Sequence, residues 1–232
     1  MCMSGTSEVQ RIPPQPLLGS SGQLFRLPQN PLAVARLRNK VKRLRRQVAE
    51  LRKRVYLDSL TNVYSRAYLE RAVRTIRQWP WHGSESLACF VVDIDDFKQV
   101  NDSHGHLLGD QVLAFVGRTV KNCMGRNAIV IRFGGDEFLI FLKEFEVGTA
   151  EAIASEISDL VALRRWSGRQ GSVEVSVSIG GAVIEPNRMA VSGSVISALI
   201  CSADEAMYEA KQYRGVHIRI MRRISCRESS RV

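Results

Sequence analysis

Apolar residues recur at steps of three and four from Val34, through Leu37, Val41, Leu44, Val48 and Leu51 to Val55. Valine at every a position and leucine at every d position predicts a helix over 32–57 that pairs as a parallel two-stranded coiled coil. The same stripe also suits a single helix laid on its own domain, and the pattern leaves that alternative open. Beyond Leu57 the rhythm changes. Helical spacing returns over 68–78, 109–123, 149–165 and 194–213. Between these lie strand-like runs. LACFVVDI is an almost continuous apolar run that leads into acids, as a central strand does. Residues 128–133 and 137–142 flank a Gly-Gly pair, 173–184 alternates, and 217–221 closes the series. Helices alternating with strands and one clear hairpin predict an α+β chain, an α/β sandwich in which helices pack on one partly antiparallel sheet.

Composition sharpens this picture at the N-terminal end. The chain has 232 residues and a formal net charge of +10. From Ala33 to Leu57 there are ten Lys/Arg against one acid, Glu50, so the predicted helix alone carries +9. Its e and g positions hold Arg38, Arg45, Arg52, Lys40 and Arg54, with Gln47, so parallel pairing sets like charges across the seam. A weak or conditional zipper is expected, and a basic helix also raises nucleic-acid binding as an alternative. Residues 1–31 hold five of the seven prolines and read as a disordered leader; 222–232 reads as a basic flexible tail. Five unpatterned cysteines, with no CxxC pair, point to reduced thiols in a cytoplasmic protein. No signal-peptide pattern and no run of about 18 apolar residues is present, so membrane insertion is not expected.

The chemistry concentrates in two acid-bearing stretches. The first follows the LACFVVDI run: Asp93, Asp95 and Asp96 lie within four residues. Side chains alternate along a strand, so Asp93 and Asp95 share a face. Such carboxylates repel one another, and a divalent cation relieves that; Mg²⁺ takes one or two carboxylates plus substrate phosphates. The second is Arg132-Phe133-Gly134-Gly135-Asp136-Glu137-Phe138, where the glycines permit the positive φ angles of a tight hairpin turn. If this hairpin pairs beside the first strand, Asp136 comes close to Asp93, as a metal clamp for phosphoryl transfer requires. A polar turn and a solvated acidic edge are the plainer readings of the same residues. His104 and His106 read as solvated loop residues, and Phe97 and Phe138 as core.

Taken together, DIDDFKQVNDSHGHLLGD and RFGGDEF, separated by 21 residues, resemble the GGDEF family of bacterial diguanylate cyclases. The resemblance runs from about Asp58 to Ile220. Asp58-Ser59-Leu60-Thr61 with Arg66 is similar to the opening of such domains, Ser178-Ile179-Gly180 to their SIG strand, and the run from Ala203 to Lys211 to their AD-x-AMY-x-AK helix. It implies a ferredoxin-like, palm-type central sheet, mixed and mostly antiparallel, flanked by helices over 58–221 and preceded by a long helix. It implies the joining of two GTP into cyclic di-GMP with release of two pyrophosphates, at a site formed between two facing protomers. Asp93, the carbonyl of Ile94 and Asp136 are the implied ligands of Mg²⁺ or Mn²⁺, two ions per half-site. Asp136 also activates the attacking hydroxyl, with Glu137 beside it. Asn101 and Asp110 match guanine contacts, an amide and a carboxylate suiting that edge. His106 matches a position near the substrate, Lys98 and Lys211 match phosphate contacts, and Gly134 and Gly135 admit the nucleotide to the backbone.

Three departures from the family pattern stand out. The RxxD product-inhibition positions hold Gly125 and Ala128, with Arg126 one residue out of place, so no inhibitory cyclic di-GMP site is expected there. After Lys211 the sequence reads Arg214-Gly215 in place of Gly-Arg, so the phosphate-contacting arginine does not carry over directly. Ser65 replaces the usual asparagine of the opening motif. Intact Asp93, Asp136, Glu137 and Lys98 set the enzymatic expectation against its rival, a catalytically silent nucleotide-binding signalling module.

Overall fold

A computed structural model of the chain describes residues 30–79, 86–125, 127–143, 149–168, 171–184, 191–212 and 218–222. The expected leader lies outside these up to residue 29, and the expected tail from residue 223. The chain forms two compact units, Met1–Glu50 and Leu51–Val232. Helix α1 spans Pro31–Tyr56. It begins where Asn30 caps the first turn, its Oδ1 accepting from the Leu32 amide at 2.9 Å, with Pro31 in the first helical position, where a missing N–H costs nothing. None of its residues is buried. Its stripe of Leu37, Val41, Leu44, Val48, Leu51 and Val55 stands 41–59% exposed.

The second unit is built on one six-stranded sheet. Its strands are β1 (Tyr64–Ser65), β2 (Leu87–Ile94), β3 (Ala128–Arg132), β4 (Glu137–Lys143), β7 (Val177–Ile184) and β8 (Ile218–Arg222), in the order β1-β3-β4-β2-β7-β8. The outer pairs β1/β3 and β7/β8 are parallel, and the three inner pairs are antiparallel. Strand β2 is buried along its whole length, which is why it reads as an unbroken apolar run. Its side chains divide between two cores. Ala88, Phe90, Val92 and Ile94 join one with Phe138 and Ile140, against α4 (His106–Met124) and α5 (Thr149–Ala162). Leu87, Cys89 and Val91 join the other with Leu139 and Phe141, against α2 (Leu69–Arg77) and α6 (Gly193–Gln212). Each large side chain buried this way contributes about 1.5–3 kcal/mol. Among the described cysteines, Cys89, Cys123 and Cys201 are free thiols.

Several boundaries differ from the sequence reading. The run 173–184 is two strands, because residues 171–174 form β6, the return arm of a small hairpin with β5 (Arg165–Gly168). That hairpin also ends α5 at Ala162, short of the expected residue 165. Helix α3 (Phe97–His104) was hidden in the polar run after the first acids; it starts at Asp96, held at φ 50°, and ends at Gly105, φ 89°.

Candidate active site

The strand register places the acids. Asp93 ends the Leu87, Cys89, Val91 row of β2, so its side chain lies on the α6 face. Across the sheet it pairs with Glu137 of β4 on one side and Ser178 of β7 on the other. The next amide, Ile94 N–H, donates to the carbonyl of Asp136 at 3.3 Å. Asp93, Ile94, Asp136 and Glu137 therefore meet at one end of the sheet, although they come from segments 42 residues apart (94 to 136).

Asp93 is only 5% exposed. Burial pushes its carboxyl above the usual range; the Lys211 ammonium draws it down, and the Asp136 and Glu137 carboxylates push it up again. Lys211 Nζ, from the last turn of α6, sits 2.6 Å from Asp93 Oδ1. Helix α6 comes this close because Gly180 of β7 has no side chain: a Cβ there would lie 2.0 Å from the Met207 amide nitrogen. Lys211 is one turn beyond Met207 on the same helical face.

Asp95 does not share this arrangement. Its two oxygens accept from the Ser176 and Ser178 hydroxyls at 2.5 and 2.6 Å, and its amide donates to the Ser176 carbonyl. Its charge is satisfied by hydrogen bonds, which corrects the picture of a cluster of mutually repelling acids waiting for an ion.

The Gly-Gly turn also differs from expectation. Neither Gly134 nor Gly135 has a positive φ. A Cβ on Gly134 would lie 2.4 Å from Glu137 Oε2, the flexible end of that side chain, so this glycine leaves the Glu137 carboxylate its place over the turn, whereas a Cβ on Gly135 would meet nothing within 4 Å. A residue that sequence reading gave no role, Arg132, fixes the loop. Its Nη2 donates to the Gly135 carbonyl at 2.6 Å and its Nη1 reaches both Asp58 carboxylate oxygens at 3.3 Å. Asp58 Oδ1 also accepts from the Thr61 amide and hydroxyl at 2.8 and 2.7 Å. Burial alone would raise the Asp58 pKa; the Thr61 hydrogen bonds and Arg132 outweigh it and hold the carboxyl below its ordinary value. Nearby, the Arg66 guanidinium lies 4.6 Å from the Phe133 ring centre. The signal for all this was in the opening motif, but only the fold shows what those residues touch.

The remaining candidates sit on the α3–α4 hairpin. Asn101 of α3 lies against Gly109 of α4, one residue before Asp110, where a Cβ would be 2.0 Å from its Oδ1. Lys98, His106 and Asp110 are exposed, and neither Lys98 nor His106 bonds to the acid cluster. The HxH pair is split: His104 packs toward Gly168 of β5 while His106 opens α4. Arg126 and Arg214 lie outside the described residues. A separate polar cavity of about 340 Å³ is lined by Asp95, Asp96, Gln99, His104, Glu174 and serines, without a lysine or arginine.

The donor set at Asp93 suits a hard divalent cation. Among the described residues no three His, Cys, Asp or Glu side chains gather to hold a metal by themselves. Two carboxylates and a carbonyl, with the rest from phosphate oxygens and water, match how Mg²⁺ is held beside nucleotides. A cation, the Lys211 ammonium, already stands against the Asp93 carboxylate.

Known proteins resemble this chain in sequence and in fold. A family model described as "Diguanylate cyclase, GGDEF domain" matches residues 55–216. The chain is 30% identical over 175 residues to diguanylate cyclase VdcA of Vibrio cholerae, covering 74% of this chain and 48% of that protein. It is 35% identical over 178 residues to diguanylate cyclase TpbB of Pseudomonas aeruginosa, covering 75% and 39%. The chain thus spans half or less of these curated relatives. Among solved structures, the coiled coil and GGDEF domain of DgcB from Caulobacter crescentus, in complex with c-di-GMP, superposes with a TM-score of 0.67 at 25% identity, covering 82% of this chain and 98% of that one.

Proposed function

The chain belongs to the GGDEF diguanylate cyclase family, and from that membership we propose that it condenses two GTP into cyclic di-GMP and two pyrophosphates. One observation carries the proposal: a buried carboxylate on β2 faces Glu137 across the register, with Asp136 beside it. Asp93, the Ile94 carbonyl and Asp136 would hold divalent cations, Mg²⁺ or Mn²⁺, two per half-site. Bound there, such ions lower the pKa of a coordinated hydroxyl and neutralise charge building on a phosphate. In this reading Asp136 accepts the proton of the attacking ribose 3′-hydroxyl, and Glu137 keeps that end of the sheet negative. Asn101 and Asp110 take the guanine edge, its O6 from the amide and its N1 and N2 protons toward the carboxylate. Lys98 and Lys211 meet phosphate oxygens, His106 stands near the substrate, and Gly134 and Gly135 keep the loop low enough for the nucleotide to approach.

One domain holds one GTP, and the reaction needs two facing each other, so activity requires a homodimer. The exposed heptad stripe of α1 supplies a surface for that pairing. No helix among the described residues is long and apolar enough to cross a membrane. Product inhibition through an RxxD site is absent in this reading: Gly125 and Ala128 hold its positions and offer no charge. Calorimetric titration with cyclic di-GMP is expected to show no micromolar site; a tight one mapping to that surface refutes this part. The central test is incubation of purified protein with GTP and Mg²⁺. Cyclic di-GMP is expected from the wild type and none from Asp136→Asn; equal product from both sinks the assignment.

A further inference from the structure

We propose that Lys211 is the built-in counter-ion of Asp93, which a divalent cation must displace, so that the domain binds metal weakly until an anionic ligand draws the ammonium away. The inference rests on the reading of Asp93 as a metal ligand and adds a control on when that ligand is free.

The contact is close: Nζ stands 2.6 Å from Oδ1. The two side chains differ sharply in access to water, 7% exposed for Asp93 and 38% for Lys211. A carboxylate so buried cannot simply be left alone, because an unpartnered buried charge is strongly destabilising. Asp136 and Glu137 beside it only add negative charge. Exchange must therefore be one cation for another. Lysine can make that exchange: its ammonium is a point charge on a flexible stem with no fixed fork geometry. The backbone fixes where the stem starts. Gly180 lets α6 settle against β7 at Met207, and the next turn delivers Lys211 to the end of β2.

The donor count says why the exchange needs an anion. Among the described residues no three acidic, histidine or cysteine side chains are placed to hold a metal ion together. A free ion would gain two carboxylates and a carbonyl while facing a resident ammonium. With phosphates present, the ammonium gains new acceptors and the ion gains the oxygens it lacks. Metal and nucleotide then strengthen each other's binding through Lys211, and the coupling is reciprocal.

Mn²⁺ alone is the probe, its free concentration read by electron spin resonance against the full chain without nucleotide. Lys211→Met is expected to bind Mn²⁺ about ten-fold tighter than wild type, within the usual range of coupling between sites. Lys211→Arg keeps the charge and is expected to bind as weakly as wild type; Asp93→Asn is expected to abolish binding. Circular dichroism melts identify any variant that fails to fold, and Lys211→Gln replaces Lys211→Met in that case. Equal or weaker Mn²⁺ affinity without the lysine, while Asp93→Asn still abolishes it, overturns the inference and leaves the cyclase reading standing. Mn²⁺ binding that Asp93→Asn does not change removes the metal ligand itself, and both fall.

Discussion

Asp58 shows how much a single side chain can organise. It gathers two bonds from Thr61 and the Arg132 guanidinium, and Arg132 in turn pins the Gly135 carbonyl. Because its folded pKa lies below the ordinary 3.8, its contribution to stability is fully present above that value and is lost as pH falls through the lower folded one. Asp58→Asn is therefore expected to cost about 1.5–3 kcal/mol near neutral pH, the range for hydrogen bonds to charged groups. The difference from wild type should shrink below about pH 4, which urea unfolding across pH measures. A gap that is constant down to acid pH contradicts this account. Gly109→Ala makes a second case. The new Cβ would meet the flexible end of Asn101 rather than backbone, so the fold survives and the amide turns away. The expected outcome in steady-state kinetics is a KM for GTP raised about ten-fold with kcat nearly unchanged, the mark of lost uniform binding. An unchanged KM removes Asn101 from the guanine site.

At the scale of elements, the site is a consequence of where α6 can sit. Gly180 to Ala is unlike Gly109 to Ala because the clash is with the backbone of Met207 and Ala203. The helix must lift from β7, and a cost of about 2–4 kcal/mol follows from strain and lost packing. Chemical denaturation checks the magnitude, and a near-neutral change would mean that α6 slides freely on the sheet. The central strand was easy to read for the reason that makes it central: six consecutive buried apolar residues, Leu87 to Val92, lead into Asp93 without a polar interruption. The β5–β6 hairpin and α3 were not. Two four-residue strands whose facing ends are Gly168 and Gly171, and a helix of eight residues with only Phe97 and Val100 buried, leave too little periodicity to detect.

For the whole molecule, the proposed pairing of two copies is the decisive test. Removing residues 1–56 is expected to leave a folded monomer with cyclic di-GMP formation lowered about ten-fold or more, since facing active sites then depend on chance encounter. Sedimentation and product assay check it; unchanged dimerisation and turnover rule out the helix as the dimerising element. Since α1 carries +9, self-association of the full chain should strengthen with added salt, as the Debye length shrinks to about 3 Å near 1 M. What the sequence determined by itself was local and periodic: the heptad of α1, the β2 run, the β3–β4 turn, and the motifs by which the family is recognised. Those features are written in neighbouring residues. What only the tertiary structure decided was partnership across distance. That Asp95 belongs to two serines, that Arg132 bridges Asp58 to Gly135, and that Lys211 occupies Asp93 all depend on strand register and helix seating. Long-range pairing of that kind leaves no trace in the spacing of any one segment.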